Sequence, residues 1–340
     1  FFQGWLKVYD EDGFCGQGPA SRIMVDFFVP RLLEQGGKTN SEWTHYFWWE
    51  IRNFGYQSPY VAEMFNLDWI LLDLLANRAQ KPLHRFLGAT KDWASVYKGG
   101  GSVLLSDEAL LDDLLRFKSE GFKITKFKIG GNGNDWSADV RRLEKARLAL
   151  GDDFGIAVDA NQAWDADTAF EFAKAAAPYN VEWFEEPVHA FDMEALRSLR
   201  DQMDNAGISM EIAMGESVRS YHAHVDYAEH GVDHLQPARL YCLAEIMRVR
   251  DYAHQHNCRI STGGFPFINA ALGALYSENE LLEFHQPLNE VLIPYFKVVS
   301  QIKDGRFYLP DIPGIPVQLD FDHLETDGLL RGIQYYYRKK

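Results

Sequence analysis

From residue 93 onward, short apolar runs alternate with stretches in which apolar residues recur every three or four positions. Such runs are typical of strands, and such stretches of amphipathic helices. Eight strands are predicted, at 94–97, 125–129, 155–159, 182–184, 211–214, 234–236, 259–261 and 281–284. The clearest helices between them are at 107–120, 138–150, 167–176 and 243–255. This alternation indicates a parallel α/β sheet or barrel. Polar residues at the ends of many strands favour the closed barrel over an open sheet.

The chain before residue 90 has a different pattern of apolar and polar residues. Residues 5–9 alternate apolar with polar and lead into Asp10-Glu11-Asp12-Gly13, which predicts a strand and a turn. Apolar residues at helical spacing over 25–35 and 66–80 predict two helices.

These differences divide the chain into three predicted segments. We expect an N-terminal domain at 1–90 whose start, before Trp5, is truncated or vector-derived. The barrel is expected at 91–308. The tail at 309–340 is rich in proline and is expected to pack back on the first domain as irregular structure and a last strand.

Composition and charge narrow the class of ligand. The chain has 340 residues, of which 46% are apolar, 34 basic and 49 acidic, and its net charge is −15. That charge argues against nucleic acid or a membrane surface as the main partner and favours a small molecule. The three cysteines show no CxxC spacing, so we interpret them as reduced packing residues of a cytoplasmic protein; a catalytic cysteine is the alternative.

Three acidic residues stand at the carboxyl ends of consecutive predicted strands: Asp159, Glu185 and Glu216. Active sites of barrels lie at that face. Three convergent carboxylates repel one another unless a cation lies among them, and carboxylate oxygens favour Mg²⁺ over zinc or copper. We therefore predict that these residues are magnesium ligands. The alternative is that each acid caps the helix that follows it.

Two lysines lie on the preceding strand, in Lys126-Phe127-Lys128. Because side chains alternate along a strand, Lys126 and Lys128 share one side and Phe127 takes the other. Phe127 and Ile129 suit the apolar helix layer, so both lysines are predicted to point into the barrel mouth. Neighbouring ammonium groups disfavour each other's charge, which makes one lysine a candidate base near neutral pH. The alternative is a solvated pair at the strand end.

Further polar residues accompany these candidates. Asn161 and Glu186 flank predicted ligands and are expected to support them, and Glu283, near the end of the last strand, can bind substrate or pair with a lysine. Single histidines such as His189 and His285 are weak signals, because a lone histidine is more often a structural residue.

In combination these motifs resemble the enolase superfamily, and more narrowly its mandelate racemase and acid-sugar dehydratase branch, which includes muconate lactonizing enzyme-like proteins. The resemblance covers nearly the whole chain and rests on Asp12-Gly13, Leu87-Gly88, the Lys-x-Lys strand and the three acid-bearing strands in order. It implies a modified TIM barrel, (β/α)7β, under an α+β capping domain that contributes specificity loops. It also implies a symmetric homo-oligomer, and Mg²⁺ with a lysine or histidine base acting through an ene-diolate.

Two positions depart from that branch. Its sixth strand usually reads Gln-Pro-Asp and its seventh ends in histidine, and the two form a His-Asp dyad. Here the sixth strand reads Gln236-Pro237-Ala238 and the seventh Ser261-Thr262-Gly263. We therefore expect the dyad to be absent. Candidate replacements are Arg239, Tyr241, Thr262 and a histidine.

Absence of the dyad favours one reaction over the others. Racemisation needs proton donors on two faces, whereas a syn elimination can use Lys128 twice, first on the α-proton and then on the departing hydroxyl. The leading hypothesis is dehydration of a sugar acid to a 2-keto-3-deoxy acid. The alternatives are racemisation, epimerisation or cycloisomerisation of another carboxylate, and a metal-binding protein without catalysis.

Overall fold

The N-terminal region is a hairpin followed by helices in a computed structural model that describes residues 4–238 and 242–338. Strands β1 (Gly4–Tyr9) and β2 (Cys15–Ala20) pair antiparallel. The helices are α1 (Val29–Gln35), α2 (Asn40–Ile51), α3 (Pro59–Arg78) and α4 (Leu83–Phe86). A π-helical turn, Met24–Phe28, leads into α1, and a 3-10 turn, Arg52–Phe54, follows α2.

The predicted N-terminal elements are present, with differences. The helix predicted over 66–80 begins earlier, at Pro59, because proline suits the first turn of a helix. Sequence patterning missed α2, which is started by a capping box between Thr39 and Glu42. Gly16 lets the hairpin lie close to α3, since a Cβ there would be 2.1 Å from the carbonyl oxygen of Ile70.

A closed barrel of eight parallel strands forms the centre of the molecule. The strands are β3 (Trp93–Gly100), β4 (Ile124–Lys128), β5 (Gly155–Asp159), β6 (Val181–Glu185), β7 (Glu211–Met214), β8 (His234–Leu235), β9 (Arg259–Thr262) and β10 (Leu281–His285). Each pairs with the next, and β10 closes the barrel by pairing with β3. All eight overlap the predicted strands, and the predicted modified TIM barrel is confirmed.

Helices surround the barrel. They are α5 (Asp107–Ser119), α6 (Ser137–Leu150), α7 (Ala166–Ala176), α8 (Met193–Asn205), α9 (Tyr221–Glu229), α10 (Leu243–Gln255) and α11 (Pro266–Gly273). Their starts are set locally: Ser106 caps α5 and Asp165 caps α7, each accepting a backbone N–H three residues ahead. Within the described residues, none of the helices is both long and apolar enough to cross a membrane.

The barrel strands separate two apolar layers. Tyr97, Ala157, Trp183 and Ala213 fill the barrel interior, while most of the apolar core lies between the strands and the helices. Since side chains alternate along a strand, the residues two positions beyond this interior layer also point inward, at the carboxyl end. That is the end at which the polar candidates lie.

The C-terminal region continues from the barrel with short elements. They are α12 (Gln286–Asn289), β11 (Phe296–Val299), β12 (Gln301–Lys303), β13 (Arg306–Tyr308), β14 (Val317–Leu319) and α13 (Phe321–Thr326). β13 pairs antiparallel with β3, and β11 pairs with β14. The division of the chain into segments at residues 90 and 308 stays a prediction.

Asp73 ties three parts of the chain together. This fully buried side chain on α3 accepts hydrogen bonds from the backbone N–H groups of Gln17 and Ile315, both at 2.7 Å, and from Asn77 Nδ2 at 2.9 Å. The carboxylate thus joins β2, α3 and the segment before β14.

We expect Asp73→Ala to lower the free energy of unfolding by about 3 kcal/mol, because each buried donor left without an acceptor costs about 1–3 kcal/mol. Urea unfolding followed by circular dichroism measures the loss. Asp12→Ala is the matched control: its exposed ion pair with Arg78 is 2.7 Å long and such pairs contribute under about 1 kcal/mol. Equal stability of the two variants would contradict this account of Asp73.

Candidate active site

The predicted catalytic and metal-binding residues meet at the carboxyl end of the barrel. Lys128 on β4 pairs in register with Asp159 on β5, and Asp159 pairs with Glu185 on β6. Glu216 follows β7 after Gly215. Four consecutive strands thus bring their terminal polar side chains to one mouth, as the strand pattern predicted.

Lys126 lies at the centre of the cluster and is 1% exposed. Its Nζ forms an ion pair with Glu185 Oε1 and lies 3.3 Å from Asp159 Oδ2 and 3.1 Å from Glu283 Oε1. Burial opposes the charge of the amine, but these carboxylates outweigh burial and raise the pKa of Lys126 well above its usual value. Lys126 is therefore a buried ammonium that holds the carboxylates together.

Lys128 occupies the outer position of the pair. Its Nζ donates a hydrogen bond to Asp159 Oδ2, and its side chain is 21% exposed, so it borders the open mouth. Burial and the charge of Lys126 lower the pKa of Lys128, but Asp159, Glu185 and Glu216 outweigh them and raise it. The expectation that mutual repulsion gives one lysine a near-neutral pKa is therefore wrong for these residues alone, because carboxylates from neighbouring strands surround both amines.

The carboxylates differ in how readily they ionise. Burial opposes ionisation of Asp159, but Lys126 and Lys128 outweigh it and lower its pKa to about 2. Burial raises the pKa of Glu216 to about 7, and nearby carboxylates add to that shift while Lys126 opposes it. Burial and the same kind of repulsion raise the pKa of Glu185. Burial and crowding therefore make Glu185 and Glu216 harder to ionise than Asp159, in a cluster where carboxyl groups outnumber the two lysines.

Neighbouring groups fix the orientation of Glu185 and Asp159. Glu185 Oε2 accepts hydrogen bonds from Trp183 Nε1 at 3.0 Å and from Gln236 Nε2 at 2.7 Å. The backbone N–H of Asn161 donates to Asp159 Oδ1 at 2.8 Å, so Asn161 acts through its main chain. No role was predicted for Trp183 or Gln236 from the sequence. Trp183 lies two residues before Glu185, the spacing at which strand side chains share a face.

Glu186 is buried beside the cluster in a network of its own. Its carboxylate accepts hydrogen bonds from Ser217 Oγ at 2.6 Å and Gln162 Nε2 at 3.2 Å. Its backbone has a φ of 41°, and Asn161 has a φ of 44°. Left-handed backbone at non-glycine residues costs free energy and is concentrated at functional sites.

Gln57, between α2 and α3, donates a hydrogen bond to the carbonyl oxygen of Ser217 at 2.7 Å. This contact brings the N-terminal region to the rim of the mouth.

Glu283 on β10 completes the ring around Lys126. A Cβ at Gly99 would lie 2.3 Å from Glu283 Oε1, and one at Gly263 would lie 3.0 Å from Oε2. The carboxyl group therefore fits between two positions that lack side chains. Gly263 is the seventh-strand position at which the resemblance led us to look for a histidine.

The remaining predicted residues lie elsewhere. Thr262 is fully buried, and its hydroxyl hydrogen-bonds to the Tyr276 hydroxyl at 2.7 Å, whereas its neighbour Ser261 contacts His234 inside the barrel. The structure thus places Thr262 outside the mouth, because alternation gives the inward side to Ser261. Arg239 and Tyr241 lie outside the described residues.

The cluster fits a divalent cation by its chemistry. Among the residues that the structure describes, no three His, Cys, Asp or Glu side chains form a group with metal-binding geometry. Instead, the Lys126 ammonium lies where carboxylate oxygens of Asp159, Glu185 and Glu283 converge. With Glu216, four carboxylates face two ammonium groups, an excess of negative charge that one divalent cation would balance. All of these donors are hard oxygens, which Mg²⁺ prefers.

The chain has a (β/α) barrel, acids at the ends of three consecutive strands and a Lys-x-Lys strand beside them. These features together define one class of barrel proteins. The chain belongs to the enolase superfamily: residues 109–323 match the family model described as enolase C-terminal domain-like. The resemblance inferred from the motifs is thereby confirmed.

Relatives within this superfamily differ in reaction. The L-talarate/galactarate dehydratase of Salmonella typhimurium is 29% identical over 271 residues, which are 78% of this chain and 65% of that enzyme, under two thirds of its length. The 3,6-anhydro-alpha-L-galactonate cycloisomerase of Streptomyces coelicolor is 28% identical and covers 94% of this chain and 89% of that one. A crystal structure of a racemase from Streptomyces coelicolor with bound magnesium has a TM-score of 0.83 and 25% identity, covering 94% of this chain and 90% of that one.

Proposed function

We propose that this protein is a Mg²⁺-dependent dehydratase that converts a sugar acid to a 2-keto-3-deoxy acid. The observation that carries the proposal is the position of Lys128: it is the partly exposed amine at the mouth, next to the carboxylates. Similarity to a sugar-acid dehydratase and to a magnesium-containing racemase supports the proposal.

Asp159, Glu185 and Glu216 are proposed to hold the metal ion. Bound Mg²⁺ would supply a Lewis acid that polarises the substrate carboxylate and stabilises the charge of an ene-diolate. Trp183 and Gln236 hold the Glu185 carboxylate in place for that role.

The lysines are proposed to have different roles. Lys128 removes the α-proton, because it is the amine that borders the open mouth. Lys126 is buried among three carboxylates and is proposed to stay charged, so that it stabilises negative charge as the α-carbon loses its proton. Glu283 is proposed to bind the substrate from the other side of Lys126 by accepting a hydrogen bond from a substrate hydroxyl group, while Glu186 and Asn161 support the rim and Asp159.

A panel of aldonic and aldaric acids, galactarate among them, tests the proposal. We expect at least one acid to yield a 2-keto product with Mg²⁺ and to yield none after chelation. In D₂O the same acid should exchange its α-proton. No product and no exchange across the panel would reject enzymatic activity on sugar acids.

Interconversion of isomers without loss of water is the second candidate function. It is favoured by the similarity to a cycloisomerase and a racemase. The same panel separates the two functions, since isomerisation gives exchange or a new isomer and no keto acid. The homo-oligomer implied by the family stays a prediction.

A further inference from the structure

His285 is the last residue of β10 and lies on its inward side. Leu281 packs against the barrel interior, and Glu283 contacts Lys126, whereas Phe284 lies in the layer facing the helices. Because side chains two positions apart share a face, His285 follows Glu283 toward the mouth.

The imidazole has an unmet hydrogen-bonding group. The side chain is half-buried, and its Nδ1 is a buried atom without a hydrogen-bond partner among the described residues. A buried polar atom in that state costs about 1–3 kcal/mol, so a ligand that reaches it gains a favourable contact. The charged groups that act on this ring are Glu283 on its own strand, Lys126 and Lys128 on β4, and Asp159 on β5.

Gly99 on β3 lies between the strand positions of His285 and Lys126. It pairs in register with His285 on one side and with Lys126 on the other. The space that a side chain at Gly99 would take is filled by Glu283, whose Oε1 lies 2.3 Å from where a Cβ would be. His285 is two residues beyond Glu283, and the charges of Lys126 and Lys128 act on its ring, so His285 borders the same mouth as Lys128.

We propose that His285 is the catalytic acid that protonates the departing β-hydroxyl of the sugar acid, an assignment that rests on the proposed dehydration. The neutral form of Lys128 takes the proton from C2, and the C–H electron pair moves into the substrate carboxylate to give the ene-diolate. That electron pair then returns to form the C2=C3 double bond while the C3–O bond breaks with its own electron pair, and the imidazolium of His285 protonates the departing oxygen, which leaves as water. The enol then gains a proton at C3 and loses its hydroxyl proton, giving the 2-keto-3-deoxy acid.

The positions of the two groups suit a syn elimination. Strands β10, β3 and β4 are consecutive in the barrel, so His285 and Lys128 approach from the same part of the mouth. Burial lowers the pKa of His285, although Glu283 opposes that shift, so a smaller share of the imidazole is protonated at neutral pH and the protonated share is a stronger acid. This assigns the second proton transfer to His285 and not to Lys128 returning its own proton.

The variant His285→Asn separates the two proton transfers. With an acid that the wild type dehydrates, we expect formation of keto acid to fall by about 10²- to 10⁴-fold, while α-proton exchange in D₂O stays within about threefold of the wild type. His45→Asn, on the exposed side of α2, is the matched control and should retain both rates. Undiminished dehydration, or equal losses of exchange and dehydration, would overturn the assignment.

A second measurement needs no turnover. In Lys128→Met protein labelled with ¹⁵N-histidine, an acid of the panel that the wild type dehydrates, added with Mg²⁺, should shift one imidazole signal, and that signal should be missing from the Lys128→Met, His285→Asn double variant. If no such signal shifts at saturating acid, His285 does not contact the substrate and the inference fails. A wild type that is inactive on the whole acid panel rejects the dehydration itself, whereas an active wild type with an unaffected His285→Asn variant rejects only the role of His285.

Discussion

Replacing Lys128 by methionine is expected to lower both α-proton exchange and keto-acid formation by roughly 10³-fold, the contribution typical of a positioned general base. Methionine keeps an unbranched apolar side chain and removes only the amine. Lys126 still contacts Asp159 and Glu185, so the carboxylates keep their central partner. Exchange in D₂O by NMR and product formation by a keto-acid assay measure the two losses.

Lys123→Met is the matched control for this variant. Lys123 is exposed and lies just before β4, at the opposite end of the same strand from Lys128. It should leave both rates unchanged. A Lys128→Met protein that binds Mg²⁺ and still turns over at the wild-type rate would show that another residue is the base. The absence of any wild-type turnover would favour the hypothesis of a metal-binding protein without catalysis.

Removing one carboxylate of the cluster is expected to have the second large effect. In Glu216→Gln, Mg²⁺ should bind at least about 100-fold more weakly and activity at fixed Mg²⁺ should fall accordingly, because a neutral amide replaces an anionic oxygen ligand.

For the wild type, Mg²⁺ at about 100 times its dissociation constant should add about 2.7 kcal/mol to the free energy of unfolding, since it binds only the folded state. Calorimetric titration and thermal unfolding with and without Mg²⁺ measure these effects.

The matched control is Glu211→Gln. Glu211 begins β7, the strand that Glu216 follows, so it lies at the other end of the barrel, where it contacts Arg259 at 3.3 Å. Its removal should leave Mg²⁺ affinity unchanged. Thermal unfolding of the wild type that does not respond to Mg²⁺, or equal Mg²⁺ affinity of the two variants, would argue against a metal site at Asp159, Glu185 and Glu216.

The strands and their terminal acids could be predicted because both signals are local. An apolar run such as 155–158 followed by Asp159 has the same meaning wherever the strand lies in the sheet. Order along the chain then places neighbouring strand ends together, since consecutive parallel strands joined by helices are adjacent in a barrel. The convergence of Lys128 and Asp159 followed from these rules.

The direction of the Thr262 side chain could not be predicted from the sequence. The residue types Ser261-Thr262 do not reveal which hydroxyl points inward, because both are small, polar and compatible with either side of a strand. Packing decides it: Ser261 contacts His234 in the interior, and Thr262 contacts Tyr276 outside. His285 was passed over because a lone histidine is a weak signal in a sequence, although it lies two positions beyond Glu283 and so shares its side of the strand.

The amino-acid sequence by itself determined the barrel, the order of its strands and the acids and lysines at their ends, because periodicity and strand-end chemistry are properties of short segments. Only the tertiary structure decided the electrostatics of the lysines and the surroundings of the mouth. The pairing of β10 with β3 brings Glu283 to Lys126 across more than 150 residues of chain, and it places His285 in register with Gly99 at the same end of the barrel. These contacts depend on barrel closure and register, which no short segment encodes.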